Sequence, residues 1–404
     1  MKNFFRKKLF TKRTLVSLTI LAFMFFGLRF SSPIRAASVT WIGGNGDWET
    51  GSNWSGGIVP GPDDDVVIDL SVTVQINGTT TINSLTLGKS DNSVNATLNF
   101  NYDAVSSGAL IIDEGSVTIY ANTITSTPSI THTAGTTAVV GTVCIDVQSG
   151  SFTLNSSTLI SVSGKGYRYS EGDGQGTDVV TNSTGGGGGG YGGEGGDGAG
   201  SVAGGGAYGD VDMPLDLGSG GGNASGYYGG NGGGSVYLVV EGELALDGSI
   251  ESDGLNGAGS QYSYRNAGGG SGGSVYIDAG VISGGGTIYA RGGNGYDGSY
   301  SDGGSGSGGR IAIYFDMYTF LGSALANTGT ATHNNYRGAA GTIYLKDNVE
   351  TYGDLVIDNN NLASTSKSTL QVETDFTCKT IMLRNRGRYG IPNGSNFTVN
   401  TSID

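Results

Sequence analysis

Gly-Gly-Gly-Ser-Val-Tyr-Leu-Val-Val at 232–240 is followed by Gly-Gly-Ser-Gly-Gly-Ser-Val-Tyr-Ile at 269–277. Gly-Ser-Gly-Ser-Gly-Gly-Arg-Ile-Ala-Ile-Tyr comes next at 304–314, then Gly-Ala-Ala-Gly-Thr-Ile-Tyr-Leu at 338–345. Each is a glycine run that ends in the same short apolar strand. The strand starts, Ser235, Ser274, Arg310 and Thr342, lie 39, 36 and 32 residues apart. Self-similarity at this spacing predicts a stacked repeat, in which each unit buries its apolar face against its neighbours.

Working outward, short β-branched runs fill 66–163, among them Val72–Ile76, Ala96–Phe100, Leu110–Ile112, Ser116–Tyr120 and Val143–Val147. Many alternate with period two, and Gly, Asn, Asp or Ser punctuates nearly every gap. Loop length changes along the chain while strand character does not. That pattern favours an all-β, right-handed parallel β-helix over a sandwich, the hand following the general crossover preference. Residues 164–309 hold 54 of the 77 glycines and 13 of the 21 tyrosines. The longest excursion, 164–234, is either a mobile loop or a set of close-packed extended strands of polyproline type, which tolerate tight approach only at glycine. The tyrosines offer something to pack, which favours partial order.

The expected organisation is a signal peptide at 1–36, a Trp-rich cap at 37–68 and narrow rungs at 69–163. Gly/Tyr-rich repeats with long loops occupy 164–345, and further rungs 346–404. Lys2, Arg6, Lys7, Lys8, Lys12 and Arg13 precede an apolar core from Leu15 to Leu28, and Ala36–Ala37 fits a cleavage point. Export is therefore expected, with no stable membrane span after cleavage. Residues 1–36 carry eight Lys or Arg and no acid; without them, 13 basic residues face 35 acidic ones, a net −22. That charge repels phosphate backbones and argues against a nucleic-acid partner.

All three tryptophans lie in Trp41-Ile42-Gly43-Gly44-Asn45-Gly46-Asp47-Trp48 and Asn53-Trp54, before Pro60 and Asp65-Val66-Val67-Ile68. They suit a cap over an open solenoid end better than a sugar platform. The order of residues resembles the start of bacterial secreted and cell-surface β-helix proteins, including autotransporter-like adhesin passengers with the pectin-lyase-like fold. The resemblance implies adhesion, matrix building or glycan binding.

Candidate chemistry is sparse. Gly292–Asp297 and Gly192–Asp197 match the first six positions of a calcium-binding nonapeptide, but neither has a tandem copy. No cofactor is expected, and clustered Asp could bind Ca²⁺ weakly. The consecutive acids Asp63, Asp64 and Asp65 read as a solvated turn. His132 and His333 are 201 residues apart and read as surface or turn residues. Cys144 and Cys378 read as unbridged core thiols. Polygalacturonase-type elements do not assemble, since Arg310-Ile311 is followed by Ala312. Catalysis is thus disfavoured, and no catalytic or metal residue is assigned.

Tyrosine carries the binding hypothesis. Tyr237, Tyr276, Tyr289, Tyr314 and Tyr344 are expected to form a stabilising ladder. Tyr227, Tyr228, Tyr262, Tyr264, Tyr296 and Tyr300 sit among glycines, where amphipathic rings can stack on sugars. The expected partners are extracellular glycans or surface components, with end-to-end self-association as a further contact. The rival readings are a polysaccharide lyase or glycoside hydrolase on the same scaffold, and a purely structural filament.

Overall fold

The computed structural model describes residues 37–101, 108–122, 127–135, 141–180 and 184–403. The leader reading of 1–36 lies outside these residues. The fold is all-β, with parallel strands in stacked sheets, consistent with a β-solenoid.

Two sheets run the length of the stack. The larger passes through Ala37–Thr40, Asp64–Ile68, Ser84–Leu87, Val117–Ile119 and Phe152–Leu154 before reaching Ser235–Leu246. It continues through Ser274–Ser283, Arg310–Tyr318 and Thr342–Asp347. The eight-stranded sheet takes Gly46–Asp47, Thr73–Ile76, Thr97–Phe100, Ile130–His132, Leu159–Ser161, Ser249–Glu251, Thr287–Tyr289 and Ser323–Leu325. Register follows the repeat: Ser235 pairs with Ser274, Ser274 with Arg310, and Arg310 with Thr342. Like residues therefore fall above like, which is what a repeat every 32 to 39 residues requires of a parallel stack.

Early laps use two short strands where later laps use one long one. Val143–Val147 pairs with the first half of Ser235–Leu246, and Phe152–Leu154 pairs with its second half. The register of that long strand slips between Val240 and Glu243, where the two lanes merge. A bulge at such a junction lets the strand turn a corner without ending. Inward-facing aliphatics from both sheets, such as Val74, Leu98, Ile145, Leu238, Ile277 and Ile313, form one continuous buried core.

Trp41, Trp48 and Trp54 are fully buried at the start of this core and meet edge to face at 4.8 and 4.7 Å. The Trp54 indole donates to the Trp48 carbonyl at 2.7 Å, and that of Trp41 to the Gly44 carbonyl at 3.0 Å. Rings sealed in this way present no face to a sugar.

After Asp347 the chain reverses. Asp354–Asp358 joins Thr342–Asp347 antiparallel, and Asp375–Arg384 and Asn396–Ile403 then add in parallel to that reversed strand. The strands of the larger sheet from Asp354 onward thus run against the direction of the preceding laps.

The glycine-rich excursions are ordered, and they obey a rule of three. Gly186 and Gly189 donate to the carbonyls of Asn266 and Gly269. Gly187 and Gly190 donate to Thr177 and Gly174, while Gly185 and Gly188 donate to Ala199 and Gly196. The same rotation recurs from Gly304 and Ser307 to Gly186 and Gly189, and from Gly306 and Gly309 to Gly293 and Ala290. Three residues per turn with every amide aimed at a different neighbour is the polyproline II geometry. A Cβ on Gly188 would strike the Ser305 carbonyl, so the neighbour can sit there only because glycine does. Peptide groups make up most of the interior of this bundle.

Candidate functional site

In the later laps one extended strand leaves the eight-stranded sheet and one returns to the larger sheet, whereas the excursion 164–234 makes several passes that bond to one another. The turns between them, at 224–228, 259–265, 297–302 and 332–337, form the outer end of the bundle. Neighbouring turns are tied together: the Ser299 amide donates to the Gln261 carbonyl at 2.8 Å, and the Thr332 amide to Asp297 Oδ1 at 2.8 Å. Arg265 Nη1 reaches the Val180 carbonyl at 3.3 Å, adding Val180 to the same end.

The six tyrosines singled out from sequence divide here. Tyr262, Tyr264 and Tyr300 are exposed by 77, 50 and 52 %, with Tyr264 and Tyr300 stacked at 4.5 Å and 18° between planes. Tyr228 is also exposed, but it stacks on Tyr169 at 4.6 Å along the bundle's flank. Tyr227 is half-buried and packs on the small cluster of Val179, Ala224 and Ala267. Tyr296 is half-buried against the backbone of Gly259. Tyr227 and Tyr296 therefore support the turns, whereas Tyr262, Tyr264 and Tyr300 present ring faces to solvent.

His333 and Asp302 adjoin these rings. Asp302 is buried, its Oδ1 accepts the Gly298 amide at 3.0 Å, and its Oδ2 lies 3.0 Å from Nδ1 of the exposed His333. The carboxylate orients the imidazole and leaves Nε2 facing outward. Nothing in the sequence flagged this pair, because the partners come from adjacent turns 31 residues apart.

The other tyrosines are structural. Tyr237 stacks on Tyr276 at 4.9 Å, Tyr276 on Tyr314 at 5.4 Å, and Tyr314 reaches Tyr344 at 6.0 Å. Tyr289 does not belong to this ladder: it lies in the eight-stranded sheet, under the Arg291 guanidinium at 4.0 Å. The strand Thr287–Tyr289 faces a different side of the stack, so its ring cannot join the column. A strap at 207–217 covers the ladder with Val211, Met213 and Leu215. Burial pushes the Tyr344 phenol up to about 12 and raises Tyr237 and Tyr276 further. Arg310, fully buried, pins the strap by donating to the Tyr208 carbonyl from Nε at 2.9 Å and Nη2 at 2.8 Å. Tyr191 is buried and Tyr208 half-buried beside it, the Tyr208 hydroxyl bonded to the Leu217 carbonyl and Ser219, so neither is displayed on a loop.

His132 is fully buried, contrary to its reading as a surface residue. It lies where the glycine bundle meets the stack, its Nε2 accepting the Ser235 amide at 3.2 Å and its Nδ1 lying 2.6 Å from the Thr133 carbonyl. Burial lowers its pKa to about 4, so the ring is neutral and can accept that amide. Cys144 and Cys378 are buried and form no disulfide. Asp297 accepts the Thr332 amide, and Asp197 accepts the Gly204 amide and pairs with Lys367 at 2.7 Å. Both carboxylates of the calcium-like motifs are thus engaged in holding turns. Asp64 and Asp65 likewise accept bonds from Gly61, Asn83 and Ser84.

Among the described residues, no group of three or more His, Cys, Asp or Glu is placed to hold a metal ion, and no helix is long and apolar enough to cross a membrane. Comparison with protein-family models, with curated proteins and with solved structures finds no match.

Proposed function

We propose that the chain is a right-handed parallel β-helix of the cell surface or secreted matrix that binds glycans through the outer turns of its glycine bundle. The supporting observation is that Tyr262, Tyr264 and Tyr300 expose ring faces together on turns that are bonded to one another. Flat rings with a hydroxyl stack on the apolar faces of sugars and bond their edges. The rigid lattice beneath holds the rings in place, so little side-chain freedom is lost on binding. Single contacts of this kind are weak, and retention on a polymer would come from many copies acting together. An acidic chain favours neutral or amine-bearing polysaccharides over acidic ones.

The test is retention on a panel of immobilised neutral, basic and acidic polysaccharides. Tyr262→Ala and Tyr300→Ala should each reduce retention with no change in thermal unfolding. Equal retention by wild type and both variants on every polymer would refute the assignment.

One observation favours hydrolytic chemistry as a second reading. Burial, then the charge of Asp253, raises the Glu251 pKa, while Asp253 is held by Arg291 at 2.5 Å. Two carboxyls in unlike surroundings, beside an aromatic ring, are the minimum that acid–base cleavage of a glycoside needs. Reducing-end release by the wild type but not by Glu251→Gln would support it.

A further inference from the structure

Two tyrosine pairs that reach the surface share the stacking of the buried ladder, and sugar binding does not explain it. Tyr264 stacks on Tyr300, 36 residues on, and the half-buried Tyr169 on the exposed Tyr228, 59 residues on. A ring that serves only as a sugar platform gains nothing from having one face covered by another tyrosine. Both pairs are nearly parallel, at 18° and 21°, with centroids 4.5 and 4.6 Å apart. In the ladder, by contrast, Tyr276 is closed in by the strap and its phenol resists losing a proton. The bundle is held by backbone hydrogen bonds, and the two cysteines, buried in strands of the larger sheet, form no disulfide.

We infer that Tyr264 and Tyr300 form an oxidative cross-linking site, in which a carbon–carbon bond between the two rings rivets adjacent turns of the glycine bundle; Tyr169 and Tyr228 form a second site of the same kind. The oxidant is a haem peroxidase with hydrogen peroxide. Each phenol gives up one electron and one proton. The two phenoxyl radicals join through ring carbons ortho to the hydroxyls, and the hydrogens on those carbons move to the oxygens, restoring both phenols. Peroxide takes up the two electrons and two protons and leaves as two waters. Stacking supplies the proximity: radicals formed on rings already in contact meet at an effective concentration far above that of free tyrosine.

The full chain is treated with peroxidase and limiting peroxide at high dilution, and monomer is recovered by size exclusion. Dityrosine fluorescence should appear in the monomer. Fragment mass spectrometry should join the Tyr264 and Tyr300 peptides in a product lighter by two hydrogen atoms. Tyr264→Phe and Tyr300→Phe keep a stackable ring but cannot form the phenoxyl radical, so each should cut this product by roughly tenfold or more. Tyr262, though more exposed, should not be enriched in coupled peptides. Coupling that follows exposure and centres on Tyr262, coupling found only between molecules, or an unchanged yield in Tyr300→Phe would each overturn the site. Phe retains the ring face, so glycan retention is read separately and its failure would leave this result intact.

Discussion

The stack of sheets and the glycine bundle are built from the same laps of one chain, yet they are solid for opposite reasons. In the stack, Phe152, Leu244 and Ile282 fill the interior, and the backbone is pushed to the walls. In the bundle the backbone makes up most of the interior, with small side chains such as Ser219, Ser271 and Ser307 buried among the peptide groups. The first depends on volume and apolar surface; the second on the absence of volume and on amide geometry. The contrast shows that a long, irregular-looking excursion can be as well determined as a strand when its amides have partners in rotation.

Removing bulk from the stack should have the largest effect. Phe152→Ala should cost about 4 kcal/mol, read from the denaturant midpoint, because the cavity lies between fixed sheets. A loss below about 1 kcal/mol would mean that the sheets collapse freely onto it. Next comes the joint between the two regions. The folded pKa of His132, about 4, lies below the unfolded value of 6.5. Unfolding therefore takes up a proton between those values. The contribution is complete above pH 6.5 and is lost as pH falls toward 4, by roughly 3 kcal/mol in all. Protection of the Ser235 amide, taken relative to the intrinsic exchange rate at each pH, should fall over that window, and an unchanged protection factor would place the imidazole in water.

Adding bulk should break the bundle. A Cβ on Gly205 would meet the Gly174 carbonyl, whereas one on Gly206 has nothing within 4 Å. Gly205→Ala should cost about 2 kcal/mol or more and its neighbour under about 0.5, by thermal melts of the two proteins. Equal effects would dissolve the distinction between a backbone interior and an ordinary loop. The smallest effect belongs to the rim. Asn294 Oδ1 accepts the Thr330 amide at 2.7 Å, and its own amide donates to Asn256 Oδ1 at 2.8 Å. Asn294→Ala should cost about 1 kcal/mol, with faster exchange confined to Thr330.

The larger architecture was readable because parallel lap-on-lap pairing forces the repeat into register. Ser235, Ser274, Arg310 and Thr342, equivalent positions of the sequence repeat, are aligned in the sheet. The bundle was harder because a glycine run does not say which neighbour each amide will choose. A signal was nevertheless present. Asp253 and Asn256, then Arg291, Asn294 and Asp297, stand three residues apart among glycines. These positions face the open side of the bundle, where Asp253, Asn256, Asn294 and Asp297 supply side-chain acceptors in place of a missing strand. The strap was also marked, since Val211, Met213, Leu215 and Leu217 alternate with polar residues and Pro214 inside a glycine-rich stretch. Of the tyrosines, sequence could not separate Tyr227 and Tyr296 from Tyr262, because burial at a turn depends on which lap lies beside it. The reversal after Asp347 left no mark, as its strands have the same composition as those before.

A fabric knitted from peptide groups does not depend on the identity of the residues that decorate its hem. Exposed positions of the turns, such as Tyr262 and Tyr300, stand clear of the amides behind them, which bond to one another. Such a scaffold separates the part of a protein that must be conserved to stand from the part that is free to change what it touches. On the surface role we propose, that separation is a route to new specificities without refolding.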